Sequence, residues 1–132
     1  MTFDNSRYWI ELSEYDLETA EAMFATKRWL YVGFMCHQTI EKSLKAYWCA
    51  ACEGEPPYIH NLIRLAEGCG LDKEMSDTQN DFIAQIMPLN IEARYPLYKE
   101  ELSRRMTEIY CRRIIDNTRE LQIWIKNRLS AL

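Results

Sequence analysis

No stretch of this sequence stays apolar over the roughly 20 residues that a helix needs to cross a bilayer. Its first residues, Met1 to Ser6, lack the basic start and apolar core of a secretory leader, so none is expected. Histidine is scarce: His37 and His60 are the only two, and Cys49-Ala50-Ala51-Cys52 has no second ligand pair to complete a zinc site. The sequence has no Gly-rich phosphate loop, no nucleophile elbow and no nucleophile–histidine arrangement that suggests a triad. These absences point to a protein without a metal or cofactor. Clean alternation of apolar and polar residues is also missing, as are internal repeats, low-complexity tracts and linkers, so strands and domain boundaries are not expected.

Charge is as uninformative as the motifs. The net charge of −4 advertises neither bulk nucleic-acid binding nor attraction to anionic membranes. Five cysteines, an odd number scattered over helical segments, suit free thiols in a reducing compartment, and cytoplasm is the expected location. At 132 residues the chain fits one domain over 1–132, long enough to bury about two-thirds of its unfolded surface.

What the sequence does carry is helical periodicity. A first helix is predicted from about Ser6 to Lys27, with Trp9, Leu12, Ala20, Met23 and Phe24 on one face. Asp16 interrupts that face, and a carboxylate there needs a cation or a donor from another helix. A second helix follows a short connection around Arg28 to Leu30 and ends near Gly54, since Pro56-Pro57 forbids continuation. Its apolar side collects Trp29, Gly33, Cys36, Ile40, Leu44, Tyr47, Trp48 and Ala51. The opposite arc, roughly 100° wide, holds Gln38, Glu41, Lys42 and Lys45. That stripe reads either as a solvated face with a Glu41–Lys45 pair or as a functional constellation.

His60 or Asn61 is placed to cap a short helix closing at Gly68 and Gly70, and Ser76 to Gln79 is a capping box opening another. Phe82, Ile83, Ile86 and Leu89 point inward from that helix, which Pro88 should kink and Arg94-Tyr95-Pro96 should end. A long last helix is expected from about Glu100 to Leu129. Arg105, Arg112, Arg119 and Lys126 form a basic ridge along it, and Asp116 can pair with Arg112 or Arg119. The architecture is all-α, an antiparallel bundle of four long helices and one short one.

Taken in order, Asp16-Leu17 with Ala20, Gln38-x-x-Glu41-Lys42-x-x-Lys45-Ala46, His60-Asn61-Leu62 and Arg94-Tyr95-Pro96 resemble the pattern of the HEPN domains (higher eukaryotes and prokaryotes nucleotide-binding). The match is collinear from about Trp9 to Pro96, and departs at Asn61, where the family pattern has Asp. The resemblance implies a homodimeric helical bundle working with a small nucleotidyltransferase-like protein, as in toxin–antitoxin-like pairs, with a nucleotide or RNA as possible ligand. It also implies that Asp16, Gln38, Glu41, Lys42, Lys45, His60, Arg94 and Tyr95 converge in one ligand-binding region. Many HEPN proteins are metal-independent ribonucleases that carry an arginine and then, four to six residues on, a histidine. Here no arginine stands at that spacing before His37 or His60, so no catalytic residue carries over. A non-catalytic binding module is the expectation, with an RNA- or nucleotide-processing enzyme of atypical site residues as the alternative. Four Trp, eight Tyr and four Phe are more aromatic surface than such a bundle readily hides, which also favours a homodimer.

Overall fold

The computed structural model describes residues 5–91 and 96–132, and among these there is no strand. Six α-helices follow one another: α1 (Asn5–Ala25), α2 (Trp29–Ala51), α3 (Leu62–Cys69), α4 (Asp77–Ile86), α5 (Pro96–Arg105) and α6 (Glu108–Ser130). Short 3-10 turns at Leu71–Lys73 and Met87–Leu89 follow α3 and α4.

The turn between α1 and α2 is built from an unexpected residue. The Arg28 amide donates to the Met23 carbonyl at 2.8 Å and the Lys27 amide to the Phe24 carbonyl at 3.0 Å. This is the paired C-terminal closure that needs one left-handed residue, and Lys27 supplies it with φ 61°. The reversal lays α1 antiparallel on α2: Phe24 meets Trp29 edge-on at 5.3 Å, Ser13 meets Ser43 at 2.7 Å, and Trp9 lies near Lys45. α6 also runs antiparallel to α1, with Arg112 reaching Glu21 and Lys126 reaching Glu14. α2 and α6 therefore run parallel, the Cys111 thiol lying 3.7 Å from the Trp29 carbonyl and Thr118 against Cys36.

Other boundaries follow local chemistry. Asn61, rather than His60, caps α3 by accepting from the Arg64 amide at 3.0 Å, and Gly70 ends it at φ 84°. The capping box at Ser76 and Gln79 forms as expected. Pro88 does more than kink: it lacks the amide that another α-turn requires, so α4 stops at Ile86 and Met87–Leu89 tightens into a 3-10 turn. Phe82, Ile83, Ile86 and Leu89 are buried as their spacing implies.

The expected long last helix is two. Thr107 adopts an extended conformation, and its hydroxyl accepts from the Tyr110 amide at 3.2 Å, starting α6 afresh. The break turns Met106 into the core against Gly33, where a Cβ would meet Met106 Cε at 2.7 Å. Gly33 thus sits inside α2 because Met106 and Leu89 pack where its side chain would be.

A lysine at a left-handed position pays a steric cost that glycine avoids. Lys27→Gly should raise stability by about 0.5–1 kcal/mol, whereas Lys27→Ala should not. Urea denaturation of the two variants checks this.

Candidate functional site

Asp16 lies on the α1 face turned to α2, and the Lys42 ammonium of α2 pairs with its carboxylate. The Asp16 side chain is 9% exposed and that of Lys42 20%, so the acid is the more deeply buried partner. Next to Lys42 on α2, Glu41 is also buried, and its two oxygens have separate partners. Oε2 accepts from Lys45 Nζ at 3.2 Å, while Oε1 lies 3.0 Å from His60 Nδ1 and 3.8 Å from His37 Nδ1. Lys45 is itself buried, 5.4 Å from the centre of the Trp9 ring, so the ring face shares its charge.

The motif residues therefore divide into two neutralised groups, Asp16 with Lys42 and Glu41 with Lys45 and His60. Gln38 is half-buried and, among the described residues, makes no hydrogen bond to either group. Arg94 and Tyr95 lie outside the described residues. The α2 stripe is thus no solvated face, because α1 and the His60 loop cover it.

Beside these charges runs a polar seam that periodicity did not reveal. Ser13 donates to the Thr39 carbonyl at 2.8 Å, contacts Ser43 and accepts from Gln122 Nε2 at 2.9 Å, joining α1, α2 and α6. Ser13 stands three residues before Asp16 and Ser43 two after Glu41, so small hydroxyl residues beside motif charges were the available signal. Their size lets the two backbones approach while every hydroxyl finds a partner.

One cleft adjoins the charged groups. Tyr8, Trp9, Lys45, Pro56, Pro57 and Tyr58 line about 190 Å³, with Tyr8 and Trp9 edge-on at 6.0 Å. Tyr58 stands 93% exposed on the rim. The volume is below the roughly 300 Å³ of typical small-molecule pockets, so it suits one planar ring rather than a whole nucleotide. His60 is 64% exposed, and with Nδ1 held by Glu41 its Nε2 edge is left accessible.

Of the expected basic ridge, Arg105 falls on α5, and the three residues on α6 are consumed by α1. Arg112 grips both Glu21 oxygens at 2.5 and 3.2 Å and stacks on Phe24, Arg119 adds a bond at 3.0 Å, and Lys126 pairs with Glu14 at 2.9 Å. Asp116 pairs with Arg112, as the spacing implied. The Arg112 hydrogen bond chiefly holds the Glu21 carboxyl below its ordinary value of 4.5, against an opposing push from burial. The same contact raises Arg112. Burial drives the Cys36 thiol to about 12 and those of Cys69 and Cys111 to about 11, so all three are protonated and unreactive at neutral pH. Among the described residues no cluster of three or more His, Cys, Asp or Glu is arranged to hold a metal ion.

The sequence model of the HEPN domain family matches residues 6–128. The fold is similar to the crystal structure of TT1696 from Thermus thermophilus, with a TM-score of 0.79 over 95% of this chain and 98% of that one. Identity between the two is 17%, a likeness of fold alone. No curated protein matches the sequence at a significant level.

Two outcomes test this electrostatic account. Removing Lys42 strands the deeper charge, so Lys42→Met should cost about 3 kcal/mol. Asp16→Ala should cost less, because the freed lysine can swing to solvent. The Asp16→Leu/Lys42→Met double variant should recover much of the loss, and urea denaturation measures all three. For Glu21, the folded carboxyl is more acidic than the unfolded one. Its contribution is complete above the ordinary carboxylate range and is lost as pH falls through the depressed folded value. The stability gap between the native chain and Glu21→Gln should therefore close between pH 7 and the acid side of 4.5.

Proposed function

This chain belongs to the HEPN family, and from that premise we propose that it is a non-catalytic binding module whose aromatic cleft takes a nucleotide base. The observation that carries this reading is the neutralisation of the motif lysines. Lys42 and Lys45 are each held by a buried carboxylate, so they position α2 and the cleft wall rather than offering free cations to a phosphate. What faces solvent is an aromatic surface, Tyr8 and Tyr58 above all, with the half-buried Trp9 behind them and the accessible edge of His60 nearby. A base stacked on such rings contributes about 1–3 kcal/mol per ring and needs no fixed cation. The missing arginine–histidine spacing of ribonuclease members supports a binding role. A small nucleotidyltransferase, in a toxin–antitoxin-like pair, is the partner this reading favours, since it would present or modify such a ligand.

A second reading rests on one contact. A buried carboxylate holding Nδ1 of an exposed imidazole is the arrangement that orients a general acid or base, and Glu41 holds His60 in this way. On this reading the chain processes RNA or nucleotides without a metal.

One set of measurements separates the two. ATP and GTP titrated onto the protein should quench Trp fluorescence, and Tyr58→Ala should weaken binding about tenfold or more while leaving the fold intact. Absence of binding by any nucleoside triphosphate would remove the preferred reading. RNA cleavage in the presence of a chelator, lost in a folded His60→Ala variant, would establish the second instead.

A further inference from the structure

A cleft of about 240 Å³ lies between α4 and α6, away from the motif residues. Phe82 of α4 and Leu121 of α6 form its floor, both buried, and the half-buried Trp124 forms a wall. Helical spacing brings these groups to one side: Asn117, Leu121 and Trp124 follow at steps of four and three, Thr78 and Phe82 at four. Thr78, Asn117 and Glu120 supply a polar rim, with Gln79 beside them.

Charge separates this cleft from others on the molecule. The cleft of Trp9 is lined by Lys45, that of Phe24 by Arg112 and Arg113, and that of Leu17 by Arg119 and Lys126. The cleft between α4 and α6 is lined by one carboxylate, Glu120, and by no base. Among the described residues the Glu120 side chain enters no ion pair, and neither do those of Asp77 and Asp81, next to Thr78 and Phe82 on α4. The other bases of α6 are engaged elsewhere, Arg112 and Arg119 with Glu21, Lys126 with Glu14 and Arg128 with Glu74. Arg113 stands about two turns from Glu120 and lines the cleft of Phe24. An anionic ligand would therefore be repelled here, and a cation would be drawn in.

We propose that this cleft binds an alkylguanidinium group, the chemistry of an arginine side chain. The planar head stacks on Trp124 with its nitrogen edge on the Glu120 carboxylate, and the carbon stem lies along Phe82 and Leu121. An aromatic face and a free carboxylate both favour a cation. A guanidinium suits them better than an ammonium, because it is flat, weakly hydrated and offers paired donors to one carboxylate. Asn117 adds a further acceptor, since its side chain has no hydrogen-bond partner among the described residues. Gln79 is less suited, its oxygen already accepting from the Ser76 amide at 2.9 Å. The volume matches one such side chain and falls short of a whole cofactor.

This site shares no residue with the cleft of Trp9 and Tyr58, so it stands or falls apart from the nucleotide reading. Butylguanidinium titrated onto the full chain should shift the Trp124 indole signal in nitrogen–proton NMR spectra, saturably. Loss of that signal in Trp124→Phe assigns it. Pentylammonium, of similar length, should bind about tenfold more weakly. Glu120→Gln, at an exposed position, should keep its helical content by circular dichroism yet weaken butylguanidinium binding about tenfold. A capped Gly-Arg-Gly peptide separates the two sources of this chemistry. Binding at least as tight as butylguanidinium assigns the site to an arginine of a protein partner, and weaker binding assigns it to a free small cation. No saturable shift at Trp124, equal binding of pentylammonium, or undiminished binding in Glu120→Gln would each overturn the proposal.

Discussion

Burying Asp16 obliges the fold to bring a cation to it from outside α1, and that obligation sets how α1 lies on α2. An ionised carboxylate without a partner inside a protein costs several kcal/mol, more than a small domain tolerates. Lys42 answers from α2, and its position leaves little choice of register, while Glu41 is met within α2 itself by Lys45. Sliding α1 by one turn would separate Asp16 from Lys42 and also part Ser13 from Ser43, Thr39 and Gln122. Hydrophobic packing alone is more permissive, since apolar side chains of similar volume interchange at small cost. The polar seam therefore supplies alignment, while fully buried apolar side chains such as Ile40, Leu44, Ile114 and Ile115 supply burial.

Much of this was legible in the residues before any coordinates. Helical periodicity, the Ser76 capping box, the proline stops and the misplaced Asp16 all express short-range chemistry, which a linear reading captures. The ordered motif identified the family for the same reason. The misses are long-range. Ser13, Ser43 and Gln122 look ordinary in sequence because their meaning lies in partners 26 to 109 positions away. The α6 ridge looked like a basic surface because Glu14 and Glu21 of α1 stand about a hundred residues before it. Thr107 is a different kind of miss: its capping role was visible locally, but helical residues on both sides masked it.

The candidate site shows the limit of reading charge from a helical wheel. Gln38, Glu41, Lys42 and Lys45 formed a polar stripe, and a polar stripe ordinarily means water. Here the stripe is covered, and its charges face one another. Its lysines are thereby withdrawn from the role of anion receptors, and the aromatic residues beside them become the surface open to a ligand.

The parallel pairing of α2 with α6 bears on how the chain acquires its structure. α2 meets α6, its second neighbour after α1, only much later in the chain, across a separation of 82 residues between Trp29 and Cys111. Closing so large a loop carries an entropic cost that helical hairpins avoid. During synthesis α1 and α2 can fold back on each other early, but the side of α2 bearing Cys36 stays uncovered until α6 leaves the ribosome. α6, which follows the other five helices in the chain, is thus the one that seals this side of the core, and a chain truncated within it would expose sticky apolar surface.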